Sequence, residues 1–261
     1  VNAAPPRPGR LLLVPNALDL GAAPVDLRQV LPQQVLEASA GLGHWVAEDA
    51  RSTRAFLKRV DALWPLARPL QAIDIRELPR PPKGGAAGAS AMADARPWRE
   101  LLAPALAGQD LGLISEAGLP AVADPGALLV AQAHALGVPV LPLAGPSSLL
   151  LALAASGLNG QSFAFVGYLP QEAALRSARI RELQALSRRA GQTQVLIETP
   201  YRNAALLQAL LDTLAEDTRL SVSCGLSLPE GWTRSERVAG WRRRPQPMPD
   251  RVPAVFCFQA G

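Results

Sequence analysis

A chain of 261 residues, 49% of them hydrophobic, is long enough for one large domain or two smaller ones, each with its own core. A formal net charge of only +4 is too mild to argue nucleic-acid binding by itself. Two cysteines far apart, Cys224 and Cys257, argue against a disulfide framework, and no His or Cys stands at the ligand spacing a zinc site needs.

The N-terminal stretch Val1–Gly9 is rich in Pro and Ala and reads as a loose tail, with residues 1–10 set apart from the folded chain. Leu11–Pro15 is a buried-type strand, followed by the loop Asn16–Ala23. Pro32–Ala40 reads as a short helix and His44–Ala47 as a strand. Glu48 and Asp49 sit at the end of that strand, ahead of a helix over Ser52–Val60 whose first turn favours carboxylates. Leu70–Ile75 reads as a strand. Arg76–Pro97 is too rich in Pro and Gly for an element, and its length is that of a lid, a binding loop or a disordered segment.

Trp98–Ala107 reads as a helix leading into the strand Leu111–Ser115. Asp124-Pro125 opens the next helix, with Asp as N-cap and Pro at the first helical position, where its missing N–H costs nothing. Apolar residues recur at helical spacing from Leu128 to Leu136, and Gly137 ends the pattern. Val138–Leu143 is a strand, and Gly145-Pro146-Ser147-Ser148 is a second strand-to-helix junction. Beyond Ser156 come a strand at Phe163–Val166, a long Arg-bearing helix over Gln171–Arg189, a strand at Thr193–Glu198, a helix over Asn203–Leu214, and strands at Leu220–Cys224, Thr233–Gly240 and Val252–Phe258. Trp241-Arg242-Arg243-Arg244 reads first as a solvated turn between two strands and second as an RNA phosphate contact. Both cysteines fall in strand-like runs, as buried reduced thiols of a cytoplasmic protein do. His44 and His134 stand alone, and the apolar run Leu149–Ala155 is too short to span a bilayer.

Two loops therefore follow two strands, one helix apart. In an open α/β sheet, ligands gather outside the carboxyl ends of the strands. Gly118 and Gly145 permit close approach to the backbone, and Ser147 and Ser148 place hydroxyls and N–H donors at a helix start, which suits a carboxylate or phosphate. Gly41-Leu42-Gly43 precedes a strand instead of following one, so no Rossmann-type fingerprint is present.

Ser115-Glu116-Ala117-Gly118-Leu119-Pro120, Asp124-Pro125-Gly126, Pro142-Leu143-Ala144-Gly145-Pro146 and Gly167-Tyr168-Leu169-Pro170 resemble the signature blocks of the tetrapyrrole methylase-like methyltransferases. Leu12-Leu13-Val14-Pro15, Ala47-Glu48-Asp49-Ala50-Arg51-Ser52-Thr53 and Glu198-Thr199-Pro200-Tyr201-Arg202 fit in the same order, and the resemblance is to the ribosomal RNA small subunit methyltransferase I branch. It runs from Leu11 to Phe258.

The resemblance implies an α/β fold of two α/β domains, 11–143 and 144–261, with S-adenosyl-L-methionine in the cleft between them. It implies cofactor contacts from Leu18, Gly118, Leu119, Val122, Ser147, Ser148, Ile197, Leu226 and Pro253, and no metal. Glu116 and Glu48 are the candidate catalytic carboxylates, because both lie in loops at strand ends beside these blocks. The implied acceptor is a ribose 2′-hydroxyl of small-subunit rRNA, and the implied state a cytoplasmic homodimer away from membranes. Two alternatives stay open: methylation of a small molecule such as a tetrapyrrole, and a non-catalytic protein that binds S-adenosylmethionine. The first loop, Pro15-Asn16-Ala17-Leu18-Asp19-Leu20-Gly21, is less glycine-rich than in many relatives, and the polar His, Asp and Asn segment of the rRNA branch is missing near Arg76–Pro97.

Overall fold

Short, almost wholly apolar strands build the first sheet. The computed structural model describes residues 7–19, 25–79 and 95–261. Its contacts divide the chain into two units, Val1–Pro146 and Ser147–Gly261. The first runs β1 (Leu11–Val14), α1 (Gln33–Gly41), β2 (His44–Ala47), α2 (Ala50–Asp61), β3 (Asp74–Glu77), α3 (Arg96–Leu101), α4 (Ala103–Leu106), β4 (Leu111–Ile114), α5 (Ala127–Ala135) and β5 (Val140–Pro142). Its strands lie in the order β3-β2-β4-β1-β5, and every pair is parallel. Parallel sheets are covered on both faces, which is why β1 reads LLLV and β4 reads LGLI without polar alternation. One face packs Trp45, Phe56, Leu57 and Leu36, and the other packs Leu113, Leu102, Leu129 and Trp98. Gly112 in β4 makes room for Trp45: a Cβ there would lie 2.7 Å from the indole ring.

Four expectations are corrected in this unit. Gly9 is not loose, since its N–H donates to Ala105 O at 2.8 Å and a Cβ would strike the Gln109 carbonyl; residues 1–6 of the expected tail lie outside the described residues. The strand expected at Leu70–Ile75 is a 3-10 turn, Leu70–Ala72, followed by β3 at the sheet edge, so Arg76 and Glu77 belong to a strand. An edge strand tolerates the charges that made this segment look irregular. Residues 80–94 of the expected long loop lie outside the described residues. The single helix expected over Trp98–Ala107 is two, because Pro104 has no N–H to continue α3 and instead stands in the first turn of α4. Asp124 does not cap α5: the N-cap is Gly126, at φ +129°, a backbone state open to glycine.

The second unit runs α6 (Ser148–Ser156), β6 (Phe163–Gly167), α7 (Ala173–Ala190), β7 (Thr193–Ile197), α8 (Asn203–Thr213), β8 (Arg219–Cys224), β9 (Trp232–Arg237), α9 (Val238–Arg243) and β10 (Ala254–Gln259). The strand order is β6-β7-β10-β8-β9, with β6 and β7 parallel and the remaining neighbours antiparallel. On one face, residues of α7, α8 and α9 bury Leu196, Phe256, Phe258 and Trp241. On the other, α6 covers Val195, Val255 and Cys257. The strand expected to reach Gly240 stops at Arg237, because Val238 and Trp241, both fully buried, stand at helical spacing and form α9. Trp241-Arg242-Arg243 is therefore helix and not a turn. Arg242 donates to Leu211 O and Leu214 O, the open carbonyls at the end of α8. Both cysteines are free and buried, and burial pushes the Cys257 thiol up to about 12.

Candidate active site

The carboxyl ends of β1, β2 and β4 bring together predicted site residues of the first unit. Asn16, buried just after β1, ties two of these ends together. Its backbone exchanges hydrogen bonds with Gly118, N–H to O at 2.9 Å and O from N–H at 3.1 Å. Its side-chain amide donates to Glu116 O at 3.0 Å and Ser115 O at 3.3 Å, while its carbonyl oxygen accepts from Ala17 N–H at 2.8 Å. Sequence reasoning missed Asn16. The available signal was a polar amide directly after a buried strand, where it has to satisfy itself. Gly118, at φ +68°, turns the loop, and a Cβ there would lie 3.3 Å from Leu18 Cδ2, so these two predicted cofactor residues are neighbours.

Glu48 reaches the same loop from β2. Its N–H donates to Ile114 O at 3.1 Å, and its carboxylate accepts from Glu116 N–H at 3.1 Å. Both predicted catalytic carboxylates are thus brought together, and a third joins them. Burial pushes the Asp124 carboxyl up to about 6, helped by the charges of Glu48 and Glu116 and opposed by a hydrogen bond with Ser115. Glu116 is also raised, by burial first and then by Glu48 and Asp49. Asp49 goes the other way. It caps α2, accepting from Ser52 N–H at 2.6 Å, and that bond holds its carboxyl below the usual range. Asp124, with its carboxyl at about 6 beside Glu48 and Glu116, is able to take up a proton near neutral pH.

The loop between β4 and α5 holds Ala121 and Ala123 at φ +65°, a left-handed state that costs a non-glycine residue about 1–3 kcal/mol. Between them Val122 is 44% exposed, and Leu119 is half-buried. The loop thus holds strain and displays an apolar side chain.

In the second unit the remaining predicted residues gather at one end of the sheet. Ile197 ends β7 and pairs in register with Val255 of β10. Leu226 follows β8, and Pro253 O accepts from Gly225 N–H at 2.9 Å. Ile197 and Leu226 pack on the cluster that contains Leu149 and Val255. The α6 helix carries Leu149 in its first turn, so Ser147 and Ser148 start it at this same end. The Ser147 side chain makes no capping bond, which leaves N–H donors at the helix start. Next to Ile197, the nearly buried Glu198 carboxylate lies 3.6 Å from Arg202, and Tyr201 is exposed.

Among the described residues, no His, Cys, Asp or Glu group is arranged for a metal ion, and no helix is long and apolar enough to cross a membrane. Residues 50–232 match the model of the Tetrapyrrole (Corrin/Porphyrin) Methylases. A ribosomal RNA small subunit methyltransferase I of Xylella fastidiosa is 32% identical over 211 residues, 80% of this chain and 67% of that protein. Its counterpart in Vibrio cholerae is 41% identical over 109 residues, 42% of this chain and 36% of that protein. The match thus spans little more than a third of the Vibrio relative. The crystal structure of the methyltransferase CobJ shares the fold, with a TM-score of 0.57 at 16% identity over 97% of this chain and 95% of that one. The family match over most of the chain and the identity to the Xylella relative agree with the two α/β sheets and with the blocks at their strand ends: the chain belongs to the Tetrapyrrole (Corrin/Porphyrin) Methylases.

Proposed function

We propose that this chain is an S-adenosylmethionine-dependent methyltransferase that acts on the RNA of the small ribosomal subunit, at a ribose 2′-hydroxyl. The observation that carries the reading is the 32% identity, over 80% of the chain, with a relative named as a ribosomal RNA small subunit methyltransferase. The cofactor supplies an electrophilic sulfonium methyl, which leaves the protein to align the acceptor and remove its proton. We assign Leu18, Gly118, Leu119 and Val122 as contacts in the first unit, where Gly118 keeps the backbone open beside Leu18. In the second unit, Ser147 and Ser148 offer hydroxyl and N–H donors for a carboxylate, and Ile197, Leu226 and Pro253 offer apolar surface for a purine.

The bound cofactor would supply the methyl group, and the Glu116 carboxylate would take up the proton of the acceptor hydroxyl. Glu116 is exposed enough to touch an acceptor, and its raised pKa makes it a better proton acceptor. Glu48 holds the Glu116 backbone and, by its charge, raises both neighbours. Asp124 is a second place for the proton.

A homodimer and a cytoplasmic location belong to the proposal. The edge strand β6 leaves Phe163 and Phe165 41% and 36% exposed on one face, the kind of surface that a second chain covers. Sedimentation should then give twice the 27.5 kDa chain mass. A small-molecule acceptor is the second reading, favoured by the match of residues 50–232 to the Tetrapyrrole (Corrin/Porphyrin) Methylases.

The test is transfer of labelled methyl to small ribosomal subunits from cells that lack the gene. Label in rRNA is expected. Cofactor binding without label would overturn the rRNA reading in favour of a small acceptor, and neither would leave a protein without catalysis.

A further inference from the structure

The net charge is not shared between the units. Residues 1–146 hold 13 Lys and Arg against 13 Asp and Glu, whereas residues 147–261 hold 13 against 9 and carry the whole +4. Within the second unit the arginines are unevenly engaged. Arg234 and Arg244 both bind Glu236, and Arg242 binds Glu216 and the end of α8. The run at Trp241–Arg244 is thus largely occupied with its own fold.

Four other arginines flank one end of the sheet, Arg219 and Arg237 on the face that α6 covers and Arg188 and Arg189 on α7, which packs on the other face. Arg188 and Arg189 end α7, and the Arg188 Nε donates to Gly261 O just past β10. Arg219 starts β8 and stands level with Gln259, near the end of β10. Arg237 ends β9 directly opposite Arg219. The strands that carry Arg219 and Arg237 are neighbours, about 4.8 Å apart. Like charges directly opposite on neighbouring strands are destabilising. Arg219 finds partial relief at Gly157 O, 2.9 Å away at the carbonyl end of α6. Arg189 and Arg237 are exposed and have no ion pair among the described residues. The acids nearby do not neutralise this end: Glu236 is already held by Arg234 and Arg244, while Asp217, two residues before Arg219, is a single exposed carboxylate.

We propose that Arg188, Arg189, Arg219 and Arg237 form a docking surface for the sugar–phosphate backbone of the substrate RNA, a role that rests on the rRNA reading above. Guanidinium forks match phosphate oxygens, and a phosphate between Arg219 and Arg237 removes the repulsion that the free protein bears. This is the opposite end of the sheet from Ile197, Leu226 and Pro253, about 20 Å away along a six-residue strand. A surface so far from the proposed cofactor residues serves a substrate much larger than the nucleotide that is modified.

The test is binding of a small-subunit rRNA fragment across a salt series to the full chain and to Arg189→Gln, Arg237→Gln and the double variant. Each substitution should lower the slope of log affinity on log salt by about 0.7–0.9, which is about five- to eightfold in affinity near 0.1 M salt. The Arg237→Gln melting temperature should hold or rise, which a merely structural arginine would not give. Arg54→Gln, on α2 of the first unit, should leave the slope unchanged. Steep wild-type salt dependence with the same slope in the double variant would overturn this surface and leave the rRNA reading standing. Wild-type indifference to salt would overturn both.

Discussion

Asp124 is the residue whose environment is most telling. Its carboxyl is pushed up to about 6, chiefly by burial and then by Glu48. Because the folded value lies above the unfolded one, the protonated form favours folding, and that contribution is lost as pH rises through about 6. Asp124→Asn should therefore stay level in stability between pH 5 and 7.5, where the parent declines, as chemical denaturation at the two pH values will show. The same change should erase a limb of the kcat/KM profile near pH 6. Glu116→Gln should lose about 10²-fold or more in turnover while cofactor affinity by calorimetry stays level, as expected of a proton acceptor. Asn16→Ala leaves the Glu116 and Ser115 carbonyls without their amide donor and should cost about 1–3 kcal/mol in denaturant unfolding. Glu48 and Glu116 were legible as candidates because their strand-end loops lie beside the blocks that resemble the family's, and the structure brings them together. Asp124 was not, because Asp-Pro is also the start signal of a helix, and only its turn toward Ser115 distinguishes the two roles.

Among the elements, α2 and α9 show opposite degrees of legibility. Asp49 at the start of α2 was readable as a cap from the sequence, since the capping bond to Ser52 lies within four residues. Asp49→Ala should lower stability by about 1 kcal/mol, and methyl transfer should change little. The α9 helix was hidden within an expected strand. Its two buried residues, Val238 and Trp241, suit either periodicity over so short a run. What selects helix is distant: Trp241 Nε1 donates to Leu220 O at 2.9 Å, and the Arg234 guanidinium lies 4.0 Å from the Trp241 ring. Trp241→Ala should cost about 3–5 kcal/mol, measured by urea denaturation.

At the scale of the whole molecule, each unit has its own core, with Trp45 and Phe56 in the first and Trp241 and Phe256 in the second. A ligand that binds only the native state stabilises it by mass action. S-adenosylhomocysteine at a hundredfold excess over its dissociation constant should add about 2.7 kcal/mol, and add the same to Glu116→Gln if its lesion is confined to proton transfer, as proposed. By itself the sequence determined the α/β class, the order of nearly all the strands and helices, and the strand-end blocks, because apolar period, Pro and Gly punctuation and capping pairs act within a few residues. Only the tertiary structure decided that Asn16 clamps the Gly118 loop, that Asp124 joins Glu48 and Glu116, and that Arg219 faces Arg237. Those contacts join residues from 8 to about 100 positions apart, and strand pairing and burial, which no local pattern encodes, set both the neighbours and the charges they feel.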